Sequence, residues 1–322
     1  MSVTVEAVQL TKRYGRRRAV EDLSFTASAG DVVGILGPNG AGKTTTIRLL
    51  TTVLTPTSGE FWVAGQPWTE ATEIRRRLGV LPESGGYPRH QTGREYLRYY
   101  ARLYGIDRHK AAAIADNLLA EVGLTERAAS QISSYSRGMR QRLGIARALV
   151  NDPVVVFLDE PTLGLDPAGQ AQVLGLVRDI ARGRGMTILL STHTLPEVEQ
   201  VCSRVLILDH GKVLVSGSVG EVIRAAVVER SAQLRVPPDL IERARLALAE
   251  VPGLTVSQDG ERRDVLKIVL APQSSAPAPE ADDGANAALM AIAKAGVPVL
   301  AFEVEGAHLS DAFLKLTREA AA

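Results

Sequence analysis

The sequence predicts an α/β fold: a mostly parallel sheet covered on both faces, an antiparallel β subdomain, a helical subdomain, and a small α+β unit at the C-terminal end. Three observations lead there. The runs "DVVGILG", "DPVVVFLDEP" and "MTILLSTH" are almost wholly apolar and alternate with helical stretches, as parallel strands buried on both faces do. Residues 1–30 instead alternate apolar and polar, the pattern of half-exposed antiparallel strands. After about residue 226 the texture changes to short strands and helices in βαββαβ order, a ferredoxin-like arrangement.

Taken in order, "VTVEAVQL" and "VEDLSFTA" predict two edge strands joined by a basic loop at residues 16–18. "DVVGILGPNGAGKTTTIRLL" reads as a buried strand, a glycine-rich loop and a helix, and "GEFWVAGQPW" returns to strand. Over about 92–150 the period is helical, and Thr92 with Glu95 forms a capping box ahead of "EYLRYYARLYG". "VVVFLDEP" is a strand ending in two acids, "QVLGLVRDIARGRG" a helix, "MTILLSTH" a strand and "LPEVEQVCS" a short helix. "RVLILDHGKVLVSGS" is a hairpin turning at His210 and Gly211. Beyond it come a strand at "AQLRVP", a helix over 239–251, strands at "GLTVSQ" and "DVLKIVLAP", a helix near 285–296 and a strand at "VPVLAFEVEG". The stretch "APQSSAPAPEADDGAN" has too few apolar residues to bury a core and predicts a disordered loop at about 272–286. The division expected is 1–226, with a helical subdomain over about 84–150, and 227–322 as an accessory unit.

A formal net charge of +1 over 322 residues provides no bulk field for nucleic acid or an anionic membrane surface. The single cysteine, Cys202, excludes an internal disulfide framework and suits a reducing compartment. The N-terminus lacks the apolar core of a signal peptide, and no apolar run reaches bilayer-spanning length. The expected location is cytoplasmic.

The chemistry is concentrated in a few stretches. "GPNGAGKTT", residues Gly37, Pro38, Asn39, Gly40, Ala41, Gly42, Lys43, Thr44 and Thr45, fits the P-loop pattern between a strand and a helix. Its glycines let backbone N–H groups wrap phosphate oxygens, Lys43 brings a charge for the β- and γ-phosphates, and Thr44 a hydroxyl for Mg2+. Asp159 and Glu160 end a buried strand at the edge where parallel sheets bind ligands. Asp159 suits the metal and Glu160 the attacking water. His193, just past another buried strand, is either a structural histidine or a γ-phosphate contact on that same edge. Tyr14 either packs or stacks on adenine. Tyr87, Tyr96, Tyr99, Tyr100 and Tyr104 cluster, the last four on one helix face, and serve either the core or a protein interface. At "SYSRGMRQR" a helix opens on Ser136, a second start able to bind phosphate.

As a set, Tyr14, GPNGAGKTT, SYSRGMRQR, VVVFLDEP, LGLD at 163–166 and His193 resemble the ATP-binding cassette (ABC) ATPases, in that family's order, across residues 3 to about 225. "YSRGMRQRL" and the tail ending "LSDAFLKLT" are similar to drug- and antibiotic-resistance exporters of the daunorubicin type. The resemblance implies a P-loop ATPase core whose ATP lies on Tyr14 and residues 37–45, with Lys43, Glu160 and His193 catalytic. It implies Mg2+ held by Thr44, Asp159 and Glu83. It also implies a head-to-tail homodimer in which Ser136, Arg137, Gly138 and Met139 of one chain cap the γ-phosphate on the other, with Asp166 across the interface. The partner is then a separate membrane permease, the chain is peripheral on the cytoplasmic face of the cell membrane, and the cargo is a drug, antibiotic or lipid-like molecule. The sequence departs from the family where Tyr135-Ser136-Arg137-Gly138-Met139 replaces the usual Leu-Ser-Gly-Gly-Gln, and where Glu83 replaces a glutamine. The alternative is a soluble cassette ATPase acting on ribosomes or nucleic acid. Those carry paired cassettes or a long coiled-coil insertion, and this chain has neither.

Overall fold

The computed structural model describes residues 2–84, 86–226, 230–258, 264–270, 283–305, 309, 310 and 313. The chain separates into two compact units, Met1–Val219 and Gly220–Ala322.

The first unit opens with the antiparallel pair β1 (Val3–Tyr14) and β2 (Arg17–Ser28). β3 (Val32–Leu36) runs into the glycine loop and α1 (Lys43–Leu50). β4 (Ser58–Val63) and β5 (Gln66–Pro67) complete a sheet of order β2-β1-β4-β5. The short helix α2 (Ala71–Arg77), absent from the sequence reading, precedes β6 (Leu78–Leu81). The helical stretch is α3 (Gly93–Leu103), α4 (Arg108–Glu121) and α5 (Arg137–Ala148). Then come β7 (Val155–Asp159), α6 (Pro167–Arg184), β8 (Thr187–Thr192), α7 (Leu195–Val201), β9 (Arg204–Asp209) and β10 (Lys212–Ser218).

Local chemistry sets several of these limits. Thr92 Oγ1 accepts from the Glu95 N–H at 3.2 Å while Glu95 Oε2 accepts from the Thr92 N–H at 2.8 Å, the reciprocal box that starts α3. Asp166 caps α6 by accepting from the Gly169 N–H at 3.2 Å, with Pro167 in the first turn, where its missing donor costs nothing.

The main sheet has the order β10-β9-β3-β8-β7-β6 and is parallel except for the β9–β10 hairpin. One face, with Val156, Leu158, Ile188 and Leu190, packs on the helical side formed by α3 to α6. The other, with Val155, Phe157, Leu189 and Ile35, packs on α1 and the antiparallel sheet. Parallel register aligns Leu36 with Thr192 and Asp159 with Ser191, so β3, β7 and β8 end together at one edge.

In the second unit, α8 (Val219–Ala226) leads to β11 (Arg230–Arg235), α9 (Ile241–Ala249), β12 (Leu254–Gln258), β13 (Val265–Leu270), α10 (Asp283–Lys294) and β14 (Ala301–Glu305). The sheet order β12-β13-β11-β14, antiparallel throughout, is the ferredoxin-like topology. Ala244 and Leu248 of α9 and Ala288 and Ile292 of α10 bury against Ala232, Leu234, Leu266 and Ile268 of the sheet. Nearly all of α8, placed in the first domain by the sequence reading, groups with this unit. The loop expected at about 272–286 lies outside the described residues up to 282, and from Asp283 the chain is already helical.

Candidate functional site

Three strand ends and one loop build a cleft of about 430 Å³ at the carboxyl edge of the main sheet. It is lined by Arg17, Ala19, the eight residues from Pro38 to Thr45, Glu83, Glu160, Leu163 and His193.

The loop is shaped by backbone that needs glycine. Gly42 has φ of 108°, and a Cβ there would lie 2.6 Å from Ala19 O. Gly37 has φ of 153°, and a Cβ there would collide with Leu208 O; the residue is not among those lining the cleft. No side chain caps α1. The N–H groups of its first turn are therefore free to meet an anion, which the helix dipole also favours.

Lys43 is 7% exposed and folds back, donating to Gly37 O at 2.7 Å and Pro38 O at 3.3 Å. Burial lowers its pKa, while the Glu160 and Asp159 carboxylates pull it back up. Glu160 Oε1 is 3.9 Å from its ammonium. Glu160 sits in the left-handed region at φ 50°, strained for a non-glycine residue, and its N–H donates to Ser191 Oγ at 2.9 Å. His193 Nδ1 lies 3.0 Å from Glu160 Oε2. Burial raises the Glu160 pKa, with His193 and then Lys43 opposing it. The arrangement is a carboxylate held near two nitrogen groups at the lip of a phosphate loop, a geometry suited to activating water beside a phosphoryl group.

Asp159 is 5% exposed and lies just behind the cleft lining. Its Oδ1 accepts from Ser191 Oγ at 2.6 Å and Thr44 Oγ1 at 3.3 Å. Among the described residues, no three His, Cys, Asp or Glu side chains gather into a metal cage. Two hard oxygens beside a phosphate loop are nevertheless the partial ligand set that Mg2+ takes when phosphates and water supply the rest. Glu83 is exposed and lines the same cleft.

Other expected residues stand elsewhere. Tyr14 is 48% exposed, with Lys12 Nζ 5.5 Å from its ring centre, and it is not among the lining residues. Ser136 is the N-cap of α5, accepting from the Met139 N–H at 3.2 Å. Neither Ser136, Arg137, Gly138 and Met139 nor Asp166 lines the cleft of its own chain. Arg137 instead packs over Gly164, where a Cβ would meet its guanidinium carbon at 2.5 Å, so the α5 start leans on the 163–166 turn.

Sequence reading missed Ser191, which joins Asp159 to the Glu160 backbone, and Arg17, which lines the cleft beside Gly40. Ser191 carried one usable signal, a hydroxyl at a strand end two residues before His193. Arg17 carried none that set it apart from Arg16 and Arg18.

The ABC transporter family model matches residues 20–163. A daunorubicin resistance ATP-binding protein of Streptomyces coeruleorubidus is 35% identical over 318 residues, covering 98% of this chain and 96% of the relative. A bacitracin transport ATP-binding protein of Bacillus licheniformis is 43% identical over 215 residues, 66% of this chain and 69% of that one. A solved ATP-binding subunit of an ABC transporter superposes with a TM-score of 0.62 at 31% identity, covering 69% of this chain and 92% of that one.

Proposed function

We propose a role for each part of the cleft from one premise: the chain belongs to the ABC transporter ATP-binding family. It is an ATPase subunit of an exporter. Glu160 orients and deprotonates the attacking water. Its neighbour His193, 3.0 Å away, and Lys43 meet the charge that develops on the γ-phosphate. The proximity of Glu160, His193 and Lys43 at the loop's lip carries this reading more than any other observation.

Mg2+, when bound, neutralises phosphate charge. Thr44 and Asp159 are the oxygens to hold it, with Glu83 a third. Tyr14 offers its exposed face to adenine, and Ala41 and Thr45 complete the loop around the phosphates.

Two copies act head to tail. Ser136 uses one lone pair of its hydroxyl to cap α5 and keeps its O–H for the partner's γ-phosphate. Gly138 and the flanking Arg137 and Met139 close the same cap, and Asp166 lies across the interface. A separate permease provides the path and the chain sits peripherally on the cytoplasmic face; no described helix is itself long and apolar enough to cross a membrane. Tyr99, Leu103 and Tyr104, exposed on and just after α3, are the surface offered to that permease. The relatives' names refer to daunorubicin resistance and bacitracin transport, which supports a drug or antibiotic as the cargo class. The residues that line the cleft all belong to the first unit, and the ferredoxin-like unit is an accessory domain. The purified chain should release phosphate from ATP only with Mg2+ present, and Lys43→Ala should abolish this. Metal-independent release, or full activity in Lys43→Ala, would overturn the assignment.

A further inference from the structure

A second buried acid stands behind the cleft, and the hydrolysis chemistry leaves it unused. Glu197, in the first turn of α7, is 4% exposed. Its Oε2 accepts from Thr192 Oγ1 at 2.7 Å and from Thr162 Oγ1 at 2.9 Å. Both threonines are themselves 2% exposed or less. Thr162 follows Glu160 by two residues, and Thr192 immediately precedes His193. Thr192 Oγ1 also accepts from the Thr194 N–H at 3.0 Å, which fixes the backbone on the far side of the histidine. One carboxylate oxygen thus ties the turn carrying Glu160 to the turn carrying His193.

Such a tie matters most on the histidine side, because Ser191 and Lys43 already hold Glu160. The His193 side chain is 54% exposed, so packing does not fix the ring, yet its Nδ1 lies 3.0 Å from Glu160 Oε2. A buried carboxylate is expensive to desolvate, and an apolar side chain of similar volume would serve the core at least as well. Two hydroxyl donors converging on one oxygen are a directional restraint, which an apolar side chain does not provide.

We propose that Glu197 is a positioning residue for hydrolysis, setting the spacing between Glu160 and His193 through Thr162 and Thr192. The inference rests on the reading of Glu160 and His193 as the groups that act on ATP.

Steady-state hydrolysis by the full chain, with ATP affinity measured separately by equilibrium binding, tests it. In Glu197→Ala, kcat should fall on the order of 10- to 100-fold, as small misplacements of reacting groups do, with KM and ATP affinity held within about twofold. Glu197→Gln keeps an oxygen able to accept from both hydroxyls and should recover to within about threefold of the wild-type kcat. In the double variant Glu197→Ala with His193→Ala the two losses should fall well short of multiplying, because part of the Glu197 effect passes through His193. Wild-type kcat in Glu197→Ala, loss of ATP affinity in it, a Gln variant as slow as the Ala variant, or full additivity in the double variant would each overturn the proposal. Wild-type turnover in His193→Ala by itself would instead overturn the reading of the site, and that single variant distinguishes the two failures.

Discussion

Glu160 carries conflicting demands within a single side chain. Burial raises its pKa above the ordinary 4.5, while His193 and Lys43 act in the other direction without cancelling the rise. As the proposed base Glu160 acts in its ionised form, so above its raised pKa the fold bears a charge whose burial is unfavourable. That penalty is present above the raised folded pKa, shrinks as pH falls through it, and is gone below the unfolded value. Glu160→Gln should therefore melt at a higher temperature than the wild type at pH 7 without nucleotide. The gap should close as pH approaches the ordinary carboxylate range, with thermal denaturation across pH as the measurement. The same variant should bind ATP with near-normal affinity and hydrolyse it about 100-fold more slowly or worse. A lower melting temperature at pH 7 would mean that attraction from His193 and Lys43 outweighs desolvation.

At the scale of elements, α3 shows how one helix divides its residues between two duties. Tyr96 is 2% exposed and stacks edge-on with Tyr100 at 4.9 Å between ring centres. Arg147 of α5 donates to the Tyr96 hydroxyl at 3.2 Å and to Val80 O at 3.0 Å, and its guanidinium lies 5.3 Å from the Tyr100 ring centre. The helical stretch is thereby joined to β6, the strand just before Glu83. Tyr99, one residue before Tyr100, is 53% exposed. Tyr96→Ala should cost about 3–5 kcal/mol, the range for truncating a buried aromatic, read from denaturant unfolding. Tyr99→Ala should change stability by less than about 0.5 kcal/mol, as exposed substitutions do, and leave basal ATPase activity intact. If Tyr99 serves the permease, the reconstituted transporter should lose export in that variant. Equal destabilisation by both would mean that the division of the helix face is wrong.

At the scale of the whole molecule, the P-loop site lacks Ser136 within its own chain, since the α5 start and the cleft lining are separate sets of residues. In the head-to-tail dimer we propose, a second copy's Ser136 meets the first copy's γ-phosphate, and such a dimer holds two composite sites. Chains with Lys43→Ala mixed with chains with Ser136→Arg should regain part of the lost ATPase activity. One composite site of the mixed dimer carries both defects and the other carries neither. Phosphate release is the readout, and about half the wild-type rate per mixed dimer is expected if each site fires independently. Zero recovery, once single sites are shown to be competent, would exclude capping in trans.

What the sequence determined by itself was local. Apolar strand runs, the Thr92–Glu95 box, the hairpin at His210 and the spacing of GPNGAGKTT depend on neighbours a few residues apart, and the structure forms each where the pattern stands. α2 escaped because seven residues with one buried side chain, Ile74, carry too little periodicity to read. What only the tertiary structure decided depends on parallel register between distant strands. The Asp159–Ser191 alignment brings a hydroxyl from 32 residues away onto both acids, and α7 folding back carries Glu197 onto two threonine hydroxyls. Parallel strands pair only through crossovers, so no short stretch of chain records which side chains will meet at their ends. The same holds for the tyrosines. Helical period placed four of them on one face, but burial against Leu81, Tyr87 and Arg147 separates Tyr96 from Tyr99, and that depends on where β6 and α5 come to lie.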